Sequence, residues 1–172
     1  MVTMTVDSIE IGAGVIGAAC AYELAKDGRK TLNIDMLPAA GYGSTSNPCA
    51  IIRVYYSTID STALANEAFH YWQEWTSYLG AEDARGLAKF HDTGTLVMKT
   101  SLNGYMNKSC AIMDELNIPY EHWGPSKISS RLPSFDLKCY APAKLRSDPN
   151  FGEPSSGEIS GGVYFPAGGY VN

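Results

Sequence analysis

Six residues near the start, Gly12-Ala13-Gly14-Val15-Ile16-Gly17, constrain the fold of this chain more than any other feature. A strand-like run, Val6 to Ile11, precedes them, and a helix-like run rich in alanine, Val15 to Lys26, follows. Gly28 stops that helix, as glycine commonly does. A second strand-like run, Thr31 to Asp35, comes next. The order strand, glycine turn, helix, strand predicts a βαβ unit with parallel strands and a right-handed crossover. It is also the context that a dinucleotide fingerprint requires. Gly12 permits the tight turn, Gly14 lets the backbone approach a pyrophosphate, and Gly17 lets helix and strand pack closely. The free N–H groups at the helix start, around Val15 and Ile16, attract phosphate. Asp35 stands where a carboxylate can accept hydrogen bonds from the adenosine ribose. At this point FAD and NAD fit equally well.

Composition narrows the class. At 172 residues, 45% of them hydrophobic and 18% charged, the chain has enough apolar material for a core and is not disordered by composition. Thirteen basic against eighteen acidic residues give a net charge of −5, which argues against a nucleic-acid-binding surface. Cys20, Cys49, Cys110 and Cys139 form no CxxC pair, and His70, His91 and His122 lack metal-ligand spacing, so no metal is expected. The apolar stretch from Ile11 to Ala25 is too short for a membrane span and carries Glu23. No basic residue precedes Lys26, so no signal peptide is expected, and a cytoplasmic location is.

Beyond Asp35 lies a Gly/Ser/Thr loop, Gly41-Tyr42-Gly43-Ser44-Thr45-Ser46-Asn47, with Ser46 or Asn47 placed to cap a short turn starting at Pro48. The run Ala50-Ile51-Ile52-Arg53-Val54-Tyr55-Tyr56 follows. A helix is predicted from Ser61 or Thr62 to Leu79, packing through Leu64, Ala68, Tyr71, Trp72, Trp75 and Leu79. Further on, two short strands or one bent strand span 90–99 around Thr93-Gly94. A helix spans 102–116 with Met106, Cys110, Met113 and Leu116 on one side. A short helix spans 126–132, and a strand covers Val163 to Phe165.

Taken together, the fingerprint, the Gly/Ser/Thr loop and the Ile-Ile-Arg-x-x-Tyr run resemble the FAD-dependent oxidoreductases of the D-amino-acid oxidase and sarcosine oxidase superfamily. The resemblance implies an α/β chain: a Rossmann-like, glutathione-reductase-type FAD-binding start over 1–60, then part of an α+β substrate region over 61–172. That region would return toward the FAD domain at 162–172. It implies FAD as cofactor, held by Gly12, Gly14, Val15, Ile16, Gly17 and Asp35, with Gly43, Ser44, Thr45, Ser46 and Asn47 on the flavin side. Arg53 becomes the candidate binder of a substrate carboxylate, with Tyr56 beside it. A planar guanidinium matches a carboxylate through two hydrogen bonds at once. A salt bridge and a flavin-phosphate contact are the other roles open to Arg53, and no general base is evident.

The implied reaction oxidises the C–N bond of an amine or amino acid. Members of that superfamily are about twice this length or more, so a second polypeptide or a further segment is expected to complete the site. A nicotinamide-dependent dehydrogenase fragment and an inactive remnant are the alternatives. Three residues depart from the pattern. Glu10 and Asn33 are polar where both strands should be apolar, and Ala50 replaces an arginine of monomeric sarcosine oxidases. Cys49 reads as a small buried hydrophobe.

Overall fold

The computed structural model describes residues 3–99, 106–155 and 157–172. These form two compact units, Met1–Cys49 and Ala50–Asn172.

In the first unit, β1 (Ser8–Ile11) and β2 (Thr31–Ile34) pair in parallel, with Glu10 opposite Asn33. Helix α1 (Val15–Lys26) connects them and has the predicted limits. It ends as a Gly-terminated helix should: Gly28 takes φ +78, its N–H donates to the Ala25 carbonyl, and Arg29 N–H donates to the Leu24 carbonyl. Asn33 faces α1, since its amide nitrogen lies 3.5 Å from where a Gly17 Cβ would stand. Strand alternation then puts Ser8 and Glu10 on that face and Ile9, Ile11 and Ile34 on the other. The polar residues therefore lie under the helix. The isoleucines are 55%, 87% and 44% exposed. No described residue before Ala50 is buried. Parallel sheets are ordinarily covered on both faces, so this unit has one face covered and one apolar face bare.

The second unit holds two antiparallel three-stranded sheets. One has the order β3-β8-β4, with β3 Ile51–Arg53, β4 Phe90–Asp92 and β8 Gly168–Val171. The other has the order β5-β7-β6, with β5 Thr95–Lys99, β6 Glu121–Trp123 and β7 Gly161–Phe165. The chain passes between the sheets twice, at Thr93-Gly94 and at Pro166-Ala167, and the Gly94 N–H donates to the Gly168 carbonyl across the joint at 2.9 Å. The bent-strand alternative at 90–99 is thus resolved as two strands in two sheets. Residues 50–60, grouped with the dinucleotide unit from sequence, pack with the second unit because β3 pairs with β8.

Helix α2 (Ile59–Gln73) begins after Thr58, earlier than Ser61 or Thr62, and α3 (Trp75–Leu79) follows a break at Glu74. The buried residues of α2 are Thr62 and Phe69. The expected stripe is displaced, with Leu64 73% and Tyr71 46% exposed. Phe69 packs edge-on against Phe90, with ring centres 5.7 Å apart. Thr62 can be buried because its hydroxyl donates to the Thr58 carbonyl at 3.0 Å. Helix α4 (Met106–Glu115) buries Met106, Cys110 and Met113 as its periodicity predicts, and the proposed start at 102 lies outside the described residues. Helix α5 (Pro125–Arg131) has proline in its first turn. The core joins Val54, Phe69, Met106, Met113, Val163 and Phe165. Among the described residues no helix is long and apolar enough to cross a membrane.

Candidate functional site

In the first unit, the glycine turn, the start of α1 and the loop after β2 close around one cavity of about 570 Å³. Gly12 leaves β1 with φ +113, a conformation open to glycine, while its N–H donates to the Ile34 carbonyl at 2.7 Å. Gly14 precedes the first helical residue in extended conformation and caps the helix with no side chain. A Cβ on Gly17 would overlap the Gly12 carbonyl oxygen, and one on Gly14 would stand 3.2 Å from Thr45 Oγ1. Gly17 thus lets α1 sit close against β1, and Gly14 leaves the helix start open beside Thr45.

The loop from Met36 to Asn47 is folded onto this turn. The Gly41 N–H donates to the Ala13 carbonyl at 2.8 Å, and Thr45 Oγ1 accepts from the Val15 N–H at 3.0 Å. Ser44–Ser46 form one 3-10 turn that ends at Asn47, so the turn lies before Pro48 rather than starting there. Ser46 braces the loop by donating to the Gly41 carbonyl.

Asp35 fixes the geometry from the other side. Its Oδ2 accepts from the Ala13 N–H at 2.6 Å and its Oδ1 from the Leu37 N–H at 2.8 Å. The Leu37 bond first, then the Ala13 bond, holds its carboxyl below the ordinary aspartate value of 3.8. Since the folded value is depressed, this support is present above the unfolded value and is lost as pH falls through the lower folded one. Protection of the Ala13 and Leu37 amides, taken relative to their intrinsic exchange rates, is therefore expected to hold at neutral pH and to fall below pH 3.8. Hydrogen-exchange NMR checks this, and unchanged protection in an Asp35→Ala variant would contradict it.

Of the residues proposed from sequence for the cofactor, Gly12, Gly14, Val15, Ile16, Gly17, Asp35, Gly43, Ser44 and Thr45 line this cavity. Ser46 and Asn47 do not, and Arg53 belongs to the second unit. Sequence reasoning missed Cys20, which lines the cavity from one helical turn after Gly17. Cys49 is exposed rather than buried. Glu10 is the discordant lining residue. Its Oε1 accepts from the Ser8 hydroxyl, while Oε2 is the one buried side-chain oxygen without a partner among the described residues.

The dinucleotide's adenosine diphosphate half fits this cradle on two observations. The glycines clear the approach to the helix start, and the Asp35 carboxylate lines the same cavity. Among the described residues no group of His, Cys, Asp and Glu could hold a metal ion.

In the second unit, the Arg53 guanidinium lies 4.8 Å from the Tyr56 ring centre and 5.4 Å from that of Tyr55. Tyr55 stacks on Phe165 at 4.4 Å, which ties this group to the core. The hydrogen bond to Tyr56 raises the Arg53 pKa and so favours its charged form. Arg53 and Tyr56 line a second cavity, so the structure brings this pair together.

The sequence pattern described as DAO, FAD dependent oxidoreductase, matches residues 11–172. Comparison with curated proteins gives no match. Among solved structures, L-proline dehydrogenase from P. horikoshii is similar at a TM-score of 0.74 and 18% identity, over 98% of this chain and 38% of its own. Glycine oxidase from Geobacillus kaustophilus gives 0.68 and 17%, over 98% and 41%. L-amino acid deaminase from Proteus vulgaris gives 0.69 and 13%, over 99% and 35%. At these identities the likeness is one of fold. The chain spans about two fifths of the length of these structures.

Proposed function

The chain belongs to the DAO family of FAD-dependent oxidoreductases, and on that premise we propose that it is part of an enzyme oxidising the C–N bond of an amine or amino acid. Family membership decides for FAD over NAD. The fingerprint cavity is the observation that carries the proposal, because it combines the glycine cradle, the helix start and Asp35. Its relatives by fold include a proline dehydrogenase, a glycine oxidase and an amino acid deaminase, which supports an amino-acid substrate.

When bound, FAD supplies the two-electron oxidation of the carbon next to nitrogen. Gly12 and Gly14 would give the pyrophosphate its approach to the first turn of α1, Gly17 would keep that turn close to β1, and Asp35 would accept from the ribose hydroxyls. To reach the ribose, Asp35 gives up or shares its bond to Ala13. The loop of Gly43, Ser44 and Thr45 lies on the same cavity and would add contacts to the bound cofactor. Arg53 holds the substrate carboxylate, with Tyr56 fixing the guanidinium in place. The bare Ile9/Ile11/Ile34 face supports the further reading that another chain or segment completes the FAD-binding unit.

The test is to purify the protein with any co-purifying chain, add FAD, and measure flavin absorbance together with amino-acid turnover by a dye acceptor. A yellow protein that oxidises amino acids is expected. A colourless protein that binds NADH and not FAD would overturn the proposal.

A further inference from the structure

Helix α2 has a second face, apart from the one that lines the Arg53 cleft. Asn66, Phe69, His70 and Gln73 follow one another at helical spacing. They line a cavity of about 490 Å³, together with Asp92 at the end of β4, the turn after α4 and the turn between β7 and β8. This cavity lies within the second unit and shares no lining residue with the fingerprint cavity or the Arg53 cleft. The oxidation of a C–N bond gives it no task.

Its polar side is an ordered chain. The Gln73 amide nitrogen donates to Asp92 Oδ2 at 2.9 Å. A carboxylate only accepts, so the amide oxygen turns to His70, whose Nδ1 lies 3.4 Å away. Nδ1 is then the N–H of the neutral ring, and Nε2 is left as an acceptor. Asp92 Oδ1 is left over as well. Among the described residues Asp92 takes part in no ion pair, and Gln73 is the hydrogen-bond partner of its side chain. No lysine or arginine lines the cavity.

Two unspent acceptors, one of them a carboxylate, with no cation beside them select a positively charged donor, an ammonium group. The same arrangement repels a carboxylate, so a zwitterionic amino acid is disfavoured. The other side of the cavity is apolar, built from Leu116, Ile118, Pro119, Pro166 and Ala167, and matches an apolar body. The net charge of −5 draws cations toward the protein.

We propose that this cavity is an accessory binding site for an amine that carries no carboxylate. Its ammonium group lies on Asp92 and His70 Nε2, and its apolar body lies against Pro119 and Pro166. The proposal does not depend on the FAD reading, and its test involves no flavin.

The test is an NMR titration of the purified protein at constant pH, following the His70 ring and the Gln73 side-chain amide. The probes are phenethylammonium, methylammonium and 3-phenylpropanoate. Phenethylammonium is expected to shift both signals saturably and to bind at least about tenfold more tightly than methylammonium, as burial of its ring implies. 3-Phenylpropanoate, similar in shape and opposite in charge, is expected to leave both signals unmoved. Asp92→Asn keeps an acceptor for Gln73 and removes the charge, and is expected to weaken phenethylammonium binding at least about tenfold. Glu67→Gln removes a charge from α2 outside the cavity and is expected to change binding by less than about twofold. Should Asp92→Asn not fold, His70→Leu, at an exposed position, removes the second acceptor and is expected to weaken binding, read at Gln73. Equal affinity for the two amines, both weakened in Asp92→Asn, overturns the apolar-body part of the proposal. The absence of a saturable shift, or amine binding indifferent to both Asp92→Asn and His70→Leu, overturns the site.

Discussion

Gly17→Ala is expected to unseat α1 from β1 and to abolish FAD retention. Two opposing effects meet at this position. Alanine is the better helix former by about 1 kcal/mol, and Gly17 lies inside α1. Against this, the added Cβ would overlap the Gly12 carbonyl oxygen, which is backbone and cannot swing aside. Overpacking against a rigid neighbour costs up to about 3 kcal/mol, occasionally more. The overlap therefore wins by about 2 kcal/mol, in a unit with no buried residue to absorb the loss. The relief is for α1 to move off β1, which moves Val15 and Ile16 and breaks the shape of the phosphate cradle.

Hydrogen exchange over residues 8–34 is expected to quicken, and FAD titration to show no saturable binding. Gly28→Ala is the control. Its φ of +78 makes it strained, but nothing lies within 4 Å of the new atom. It is expected to cost about 1 kcal/mol and to leave FAD binding intact. A Gly17→Ala protein that retains FAD as well as the control would refute the close-packing argument.

The parts of the fold that were legible in the sequence are those set by local chemistry. Helix α1 was readable at both ends, because a glycine turn starts it and Gly28 ends it. The buried side of α4 was readable because Met106, Cys110 and Met113 are its apolar residues at helical spacing. Most of the dinucleotide cradle was legible for the same reason, since each glycine has a steric job that a short motif encodes. Other features depend on partners distant in sequence. The expected stripe of α2 was misplaced because that helix is apolar on two sides. Phe69 finds Phe90 in the core, while Leu64 and Trp72 line an open cleft.

Glu10 and Asn33 were recognisable as anomalies in parallel strands. That both face α1, leaving Ile9 and Ile11 on the bare face, follows only from the register of β1 with β2. The loop after β2 was assigned to the flavin side by resemblance alone. Its hold on the fingerprint through Thr45 and Gly41 depends on a fold no periodicity records. The same applies to Arg53. Its residue type and neighbours were visible, but its lack of an acidic partner was not.

Gly169→Ala is expected to have the largest effect in the second unit, for a reason that links the sheet to Arg53. Gly169 is in β8, the central strand of β3-β8-β4, and is opposite Ile52 on one side and Asp92 on the other. An added Cβ would overlap the His91 carbonyl oxygen and stand 3.1 Å from the Phe90 ring. In a strand, alanine is ordinarily preferred to glycine by about 0.5–1 kcal/mol, which is again too small to offset a backbone overlap of about 3 kcal/mol. β8 and β4 must separate. Phe90 then loses its edge contact with Phe69, so the damage reaches the core. On the other edge, Arg53 pairs with Gly168, one residue away, so β3 loses its register and Arg53 its placement beside Tyr56. A fall in Tm of roughly 10 °C, read by thermal denaturation, is expected. Gly152→Ala, at positive φ unlike Gly169 but with open space around it, is expected to lower Tm by only about a third as much. Equal shifts for the two variants would mean that chain strain, and not the packing of β8 against β4, sets the stability of the sheet that carries Arg53.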